Sequence, residues 1–366
     1  MKNFYITTPI YYVNDLPHIG HAYTSLCCDY IARFKRLDGF NVRYLTGTDE
    51  HGQKVENAAI SKKIDPKSFV DNVSKNFLEL TKVLNLSNTD FIRTTQERHK
   101  KSCEFLWKKL YDNGHIYLGK YSGWYSVRDE AYFQESELID GKAPTGADVE
   151  WVEEPSYFFN LSKWQDKLIE LYDKNIDFIL PKSRRNEVLS FVKGGLKDLS
   201  ISRTSFSWGI NVPDNSDHIM YVWLDALTNY ITYSGFGVDE EEFKKNWPAD
   251  LHVVGKDILR FHAVYWPAFL LAADLPLPKK VFAHGWWTNE GEKISKSLGN
   301  VIDPVKLIDN YGLDQVRYFL LREVPFGNDG DFSKSQLLQR INSELANNLG
   351  NLVQRVVLFC LKNTMG

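Results

Sequence analysis

Hydrophobic and polar residues are distributed along the chain in blocks that predict strands followed by helices. Residues 4–8 form a short apolar and β-branched run, typical of a buried strand. From Tyr23 to Leu37, apolar residues recur at steps of three and four, which indicates an amphipathic helix, and Gly39 is its expected stop. This order predicts an α/β fold with a Rossmann-like, doubly wound parallel sheet.

Later patterns divide the rest of the chain. Strand-like segments at 121–133 and 156–160, with a helical segment at 163–171, predict an insertion between two halves of the sheet. Near the end of the chain, apolar residues recur at helical steps, so a long helix with an apolar face is expected. The predicted parts are a first catalytic half (1–114), a connective insertion (115–215), a second catalytic half (216–297), a stem-contact linker (298–333) and the first helix of a truncated helical domain (334–366).

The composition is that of an ordinary globular protein. Of its 366 residues, 43% are hydrophobic and 25% are charged, which is typical of a globular protein of two or three domains. The net charge of −3 gives no global basic field for nucleic acid, so any RNA contact depends on local patches. The four cysteines form no disulfide pattern, and no apolar run is long enough for a membrane span. We therefore expect a cytoplasmic protein with no membrane partner.

The first motif is Pro-His-Ile-Gly-His at residues 17–21, where the first predicted strand gives way to the first helix. A helix start attracts anions through its unpaired N–H groups and its dipole. His18 and His21 lie on one face and could donate hydrogen bonds to phosphate, while Gly20 leaves room for a base or sugar. Taken alone, the motif is more often a capped helix with solvated histidines, and metal binding is a further alternative.

The second motif is Lys-Ile-Ser-Lys-Ser at residues 293–297, after a predicted strand at 280–284. Lys293 and Lys296 stand in a polar, glycine-flanked stretch that suits a mobile loop closing on a polyphosphate. Taken alone, these five residues are more often a solvated surface loop.

Together and in this order, the two motifs resemble the ATP-binding motifs of class I aminoacyl-tRNA synthetases, with Ile294 in place of the usual methionine. Four further segments, at 7–14, 45–52, 221–226 and 261–267, resemble those of the methionyl-tRNA synthetase family, and the likeness runs nearly end to end. The resemblance implies ATP-dependent activation of L-methionine to methionyl-adenylate and its transfer to methionine tRNA. Another class I amino-acid ligase and a non-catalytic RNA-binding relative are the alternatives.

The chemistry of methionine agrees with the residues that the resemblance assigns to it. A carboxylate suits the amine, and Asp49 follows a predicted strand, while a thioether suits aromatic and apolar contacts. Helical spacing also permits a plain core role for the stripe at 223–230, and likewise for a histidine in an apolar run. The residues expected in the methionine site are Ile10, Tyr12, Asp49, Trp223, Ala226, Leu227, Tyr230 and His262. Leu227 stands where other family members carry Pro.

The resemblance also assigns the nucleotide contacts. The expected ATP-binding residues are His18, Gly20, His21, Gly255, Asp257, Lys293, Ile294 and Lys296, of which the two histidines and the two lysines are the catalytic candidates. Asp257 is also a candidate N-cap of the helix that follows it. Arg203 is a weaker candidate, because an arginine beside a strand is usually solvated.

Two expectations concern metals. The family uses Mg²⁺ with ATP, held mostly by phosphates and water. Many members carry a zinc knuckle with paired Cys-x-x-Cys motifs in the insertion, but residues 115–215 contain no cysteine. We therefore expect no structural zinc and a place in the zinc-free branch.

Overall fold

The computed structural model describes residues 2–13, 16–129, 131–133, 135–294 and 299–364. The strands, numbered along the chain, are β1 (Asn3–Thr7), β2 (Tyr11–Tyr12), β3 (Asn41–Asp49), β4 (Asp90–Arg93), β5 (Ile116–Ser126), β6 (Ala131–Phe133), β7 (Glu150–Phe159), β8 (Ile179–Leu180), β9 (Leu199–Ser200), β10 (Ser202–Arg203), β11 (Asn211–Val212), β12 (Asn215–Met220), β13 (Leu251–Gly255), β14 (Val281–His284), β15 (Trp287–Asn289), β16 (Glu292–Lys293) and β17 (Gly330–Phe332).

The helices are α1 (Ile19–Leu37), α2 (Gln53–Ser61), α3 (Pro66–Val83), α4 (Glu97–Asp112), α5 (Gln165–Lys174), α6 (Lys182–Lys193), α7 (Val222–Thr232), α8 (Glu240–Asn246), α9 (Trp266–Ala272), α10 (Pro304–Tyr311), α11 (Leu313–Arg322), α12 (Lys334–Gln339) and α13 (Asn351–Thr364). Short 3₁₀ helices lie at Glu135–Glu137, Leu161–Trp164 and Lys256–Ile258, and π-helical segments lie at Phe261–Tyr265 and Arg340–Gly350.

The central sheet is parallel, with the strand order β2-β3-β1-β13-β14-β8 and β4 also paired with β3. Strand β1 lies between β3 and β13, so the order along the chain reverses at β1. Open α/β sheets bind ligands outside the carboxyl ends of their strands at such a reversal. The α/β class with a parallel sheet is confirmed.

Helix α1 follows β1 where the pattern predicts a helix, but its burial differs from the predicted apolar stripe. Residues 22–29 are all buried, so the first half of the helix is enclosed, whereas Tyr30, Phe34 and Leu37 are exposed. Gly39 follows the helix with φ +81°, a conformation that glycine adopts without strain. The start of α1 thus lies at the carboxyl end of β1.

Within the described residues, three smaller sheets accompany the central one, and one of them, β16-β15-β17, contains Lys293. The antiparallel sheet β6-β5-β7-β9 and the three-stranded sheet β10-β12-β11 both fall largely within the predicted insertion. However, β8, which also lies inside that stretch, pairs in parallel with β14 at the edge of the central sheet. Residues 115–215 therefore do not form a body separate from the sheet, and the domain boundaries stay predictions.

The C-terminal part is helical, as expected. The segments α12, Arg340–Gly350 and α13 follow one another over residues 334–364. Several large apolar side chains of this stretch are exposed, among them Leu352, Val356 and Phe359. Among the described residues, no helix combines the length and the apolar character that a membrane span requires.

Gly47 in β3 offers a test of the sheet packing. A Cβ there would collide with the carbonyl oxygen of Ile92 in β4 and would lie 2.7 Å from the Ile92 Cγ2 atom. We expect Gly47→Ala to lower the free energy of unfolding by about 3 kcal/mol or more, measured by urea denaturation. Gly350→Ala is the control, because its Cβ would lie 3.4 Å from the nearest atom, and it should be neutral or slightly stabilising. Equal losses in both variants would contradict this.

Candidate active site

The carboxyl ends of the central strands gather several predicted site residues at one edge of the sheet. Asp49 is the last residue of β3, and Gly255 is the last residue of β13. Tyr12 in β2 is the register partner of Asp49, and the N–H of Val13 donates to the Asp49 carbonyl over 3.1 Å. Because these strands are parallel, residues from distant parts of the chain meet there.

The first turn of α1 is capped by its own histidines. His18 is the N-cap residue, and its Nδ1 accepts a hydrogen bond from the N–H of Gly20 over 3.1 Å. The N–H of His18 donates in return to Nδ1 of His21 over 3.0 Å. The two rings stack with their centroids 3.9 Å apart. This reciprocal arrangement is a capping box in which imidazoles take the parts usually played by Ser and Glu.

These hydrogen bonds determine the tautomer of both rings. Because each Nδ1 accepts, a neutral ring carries its hydrogen on Nε2. The His21 ring is also packed between Tyr11 and Phe77, at centroid distances of 4.8 and 5.3 Å. The helix is thus capped, as in the alternative reading of this motif, but the two histidines are half-buried and held by specific contacts rather than solvated.

Residues near the second motif share a hydrogen bond and an apolar cluster with the start of α1. The N–H of Ile19, at the start of α1, donates to the carbonyl of Ile302 over 3.0 Å. Ile294 packs in the apolar cluster that also contains Ile19 and Tyr23 of α1. Lys293 ends β16 and is exposed, while its carbonyl accepts from the Asn300 side chain over 3.1 Å. Lys296 lies outside the described residues.

Residues of α7 and of the π-helical segment form an aromatic wall. The Tyr230 hydroxyl lies 2.6 Å from Nε2 of His262. The Trp223 ring stacks on Phe261, with centroids 3.5 Å apart and planes 7° from parallel. Ala226 and Leu227 are buried, and Ile10 packs against the same core cluster as Leu227. The structure thus brings the predicted aromatic and apolar residues of α7 and the π-helical segment together.

His262 is held in a neutral state. Its Nδ1 lies 2.9 Å from the Ile258 carbonyl, so Nδ1 donates and Nε2 accepts from Tyr230. Complete burial lowers the pKa of His262 to about 4. The His262 ring therefore carries no positive charge at neutral pH.

The predicted nucleotide residues follow β13. A Cβ on Gly255 would lie 2.5 Å from Oδ1 of Asp257, so this position requires glycine for close approach. Asp257 does not cap the helix after it, contrary to expectation: it lies inside a short 3₁₀ helix whose N-cap is Gly255. Instead, Asp257 Oδ1 accepts from the indole N–H of Trp286 over 3.1 Å.

Further contacts join the segment after β13 to the loop that contains Asp329. Lys256 Nζ lies 2.7 Å from both carboxylate oxygens of Asp329, and the N–H of Trp286 donates to Asp329 Oδ1 over 2.8 Å. The Lys256 ammonium also lies 4.3 Å from the Trp286 ring centroid. Neither Trp286 nor Asp329 belongs to a motif that could have singled it out in the sequence.

Arg203 is buried, with a relative exposure of 1%, so the expectation of a solvated arginine is wrong. One of its terminal nitrogens donates to the Ser200 hydroxyl over 2.8 Å and to the Ser202 carbonyl over 2.6 Å. Its guanidinium carbon lies 4.1 Å from the ring centroid of Tyr221, the residue before α7. Arg203 therefore supports the start of the helix that carries Trp223.

Sequence reasoning also missed a buried polar cluster behind this site. Asp225 of α7 accepts hydrogen bonds from His51 Nδ1 over 2.6 Å and from His99 Nε2 over 2.7 Å. Among the described residues, His99, Cys103 and Asp225 are also the group whose side chains could together hold a metal ion. The distance of 2.7 Å between nitrogen and oxygen is that of a direct hydrogen bond.

Comparisons with known proteins agree with this geometry. The chain matches the family model "tRNA synthetases class I (M)" over residues 4–150 and 134–357. The chain therefore belongs to the class I tRNA synthetase family. Within it, the methionine–tRNA ligase of Rickettsia felis is 68% identical over 368 residues, and that of Brucella melitensis is 56% identical over 370 residues. Both matches cover 100% of this chain and 72% of the relative. The family likeness inferred from the two motifs is confirmed.

Solved structures extend the likeness to three dimensions. The Mycobacterium tuberculosis methionyl-tRNA synthetase in complex with methionyl-adenylate matches with a TM-score of 0.97 at 56% identity, over 100% of this chain and 73% of that one. The free form of the same enzyme gives a TM-score of 0.87 at 52% identity, over 100% and 71%. The structure of this chain is thus more similar to that of the adenylate complex than to that of the free form.

The neutral state of His262 predicts a pH dependence of stability. Its pKa is about 4 in the folded protein and returns to its ordinary value of 6.5 on unfolding. Between these values the unfolded chain binds the additional proton, so stability falls as the pH drops from 6.5 to 4, by about 3 kcal/mol for this group. In His262→Gln, urea unfolding at several pH values should show a shallower decline. Parallel curves for the two proteins would contradict this.

Proposed function

We propose that this chain activates L-methionine with ATP, forming methionyl-adenylate and pyrophosphate, and transfers the methionyl group to methionine tRNA. The carboxylate of methionine attacks the α-phosphorus of ATP, and the bond to the pyrophosphate breaks as the new P–O bond forms. A hydroxyl of the terminal adenosine of the tRNA then attacks the methionyl carbonyl carbon, and an ester forms as AMP leaves and the hydroxyl proton is released.

One observation carries this proposal: the start of α1 shares a hydrogen bond and an apolar cluster with residues near Lys293. The Ile19 N–H donates to the Ile302 carbonyl, and Ile294 packs against the cluster that contains Ile19 and Tyr23. These contacts support an arrangement in which the imidazoles of the first motif and the ammonium group of Lys293 act on a single triphosphate.

The methionine pocket is assigned to the neighbouring wall. Trp223, Tyr230 and His262 offer aromatic surfaces that suit a soft thioether, and the neutral His262 ring adds no charge there. Asp49 supplies the carboxylate for the substrate amine, and Ile10, Tyr12, Ala226 and Leu227 complete the pocket. A pocket of this kind favours an uncharged, polarisable side chain over a cationic one, because burying an unpaired charge is costly.

Catalysis needs no protein nucleophile or general base, since a carboxylate is already ionised at neutral pH. The residues act by positioning and by stabilising charge. His18 and His21 donate from Nε2 to phosphate oxygens, and Lys293 follows the charge that develops on the leaving pyrophosphate. Lys296 is assigned the same role by its place in the motif, and Gly255 and Asp257 are assigned to the adenosine.

The residues around the proposed phosphate position fit ATP that brings Mg²⁺ with it. They are imidazoles and an ammonium group, which suit phosphate oxygens, and the nearby Asp257 carboxylate already accepts from Trp286. When bound, Mg²⁺ neutralises phosphate charge. No structural zinc is proposed, because the insertion lacks cysteine.

Pyrophosphate exchange tests the assignment of Lys293. We expect methionine-dependent exchange of labelled pyrophosphate into ATP, with no exchange for the other amino acids. Lys293→Gln should lower kcat about 100-fold and change the KM for methionine little, because the lysine acts mainly in the transition state.

Lys306→Gln is the matched control, because Lys306 is an exposed lysine of α10 outside both motifs. It should retain exchange activity within about twofold. Full activity in Lys293→Gln, or exchange driven by a different amino acid, would overturn the assignment.

Metal analysis tests the zinc proposal. Protein purified without chelators should contain no stoichiometric zinc, since a tetrahedral thiolate site cannot form in an insertion without cysteine. Elemental analysis by mass spectrometry gives the metal content directly. One tightly held zinc per chain would contradict the proposal, and its loss in Cys103→Ala would locate it at the buried cluster.

A further inference from the structure

The buried cluster behind the pocket connects the two elements that carry the proposed methionine contacts. Asp225 lies on α7 between Trp223 and Ala226, and its side chain is fully buried. His51 lies two residues after Asp49, beyond the end of β3. The hydrogen bond from His51 Nδ1 to Asp225 Oδ2, at 2.6 Å, therefore joins the strand end to the helix.

His99 forms the second histidine hydrogen bond to Asp225. Its Nε2 donates to Asp225 Oδ1 over 2.7 Å, and its side chain is fully buried in α4. Burial alone would raise the pKa of Asp225, but the charges and hydrogen bonds of the two histidines hold that pKa well below its ordinary value. Asp225 is thus an ionised carboxylate that accepts from both sides.

The segment after Asp49 has further anchors. The side chain of Glu50 is fully buried and accepts from Arg93 and from the Thr95 hydroxyl, the latter over 2.6 Å. The Glu50 carbonyl accepts from the Trp208 indole over 2.6 Å. These contacts hold the segment to β4 and to the insertion, whereas the bond to Asp225 connects it to α7.

We propose that the His51–Asp225–His99 network positions Asp49 relative to α7 and thereby sets the affinity for methionine. This inference rests on the proposed methionine activation. His51, Asp225 and His99 are positioning residues, since the assigned contacts to the amino acid are made by Asp49 and by the residues of the aromatic wall. Loss of one bond lets the amine-binding carboxylate and the side-chain wall move apart, which weakens methionine binding more than ATP binding.

The two histidines use different ring nitrogens, and this provides a sharp test. An Asn amide nitrogen can replace a histidine Nδ1, and a Gln amide nitrogen can replace Nε2. At position 51, where Nδ1 donates, His51→Asn should keep the KM for methionine within about threefold, while His51→Gln should raise it about tenfold. At position 99, where Nε2 donates, the order reverses: His99→Gln is mild and His99→Asn is severe.

The measurement is the KM for methionine and for ATP in pyrophosphate exchange, with active sites counted by the burst of adenylate formed. Counting active sites separates a loss of folded enzyme from a change in affinity.

Two controls accompany the four variants. Asp29→Asn removes another buried carboxylate charge, which pairs with Arg317, and should lower stability without raising the KM for methionine. Cys103→Ala removes a thiol of the same cluster, whose Sγ lies 3.3 Å from His99 Nε2 and 3.9 Å from Asp225 Oδ1, and it tests whether the cluster holds a metal.

The outcomes are distinct. The opposite Asn and Gln preferences at positions 51 and 99, confined to the KM for methionine, support the proposal. Equal effects of Asn and Gln at each position, or the same KM shift in Asp29→Asn, would show that the network has only a structural role. Either result would overturn the proposal. A metal lost together with activity in Cys103→Ala also overturns it, because the cluster would then be a metal site. Failure of the proposed function would be visible separately, as absent exchange in the unaltered protein.

Discussion

The parallel alignment of β1 between β3 and β13 is the constraint on which the rest of the structure depends. Thr7 of β1 is in register with Leu45 on one side and His252 on the other, so the carboxyl ends of all three strands reach the same edge. Asp49, Gly255 and Asp257 lie at or directly after the ends of these strands, whereas the assigned residues of α7 follow β12 of a smaller sheet. The sheet thus brings the ends of its strands together, and the segments after those strands carry several of the side chains assigned to the substrates.

The sequence predicted the parts of this arrangement that are local. The helix over residues 19–37 and its stop at Gly39 follow from apolar spacing and from a residue that tolerates positive φ. His18 and His21 were selected because three-residue spacing at a helix start places two rings together. Their mutual capping could not be read from the sequence, since histidine is an unusual capping residue.

The parts that escaped prediction involve partners far apart in the chain. His51 and Asp225 are 174 residues apart, and His99 and Asp225 are 126 residues apart, so no spacing rule connects them. Strand β8 has two residues, too short for a periodic signal, yet it extends the central sheet. Arg203 was only a weaker site candidate because arginine beside a strand is usually solvated, whereas here it is buried between tyrosine rings, the Ser202 carbonyl and the Glu154 carboxylate.

The capping of α1 by His18 and His21 has a consequence for how this enzyme family tolerates change. Each ring completes the first helical turn through Nδ1 and is assigned to phosphate through Nε2, so architecture and reactivity depend on the same two side chains. A replacement at either position must satisfy a backbone partner and a nucleotide at once. Few side chains meet both demands, which makes this turn a place where selection for folding and selection for turnover cannot be separated.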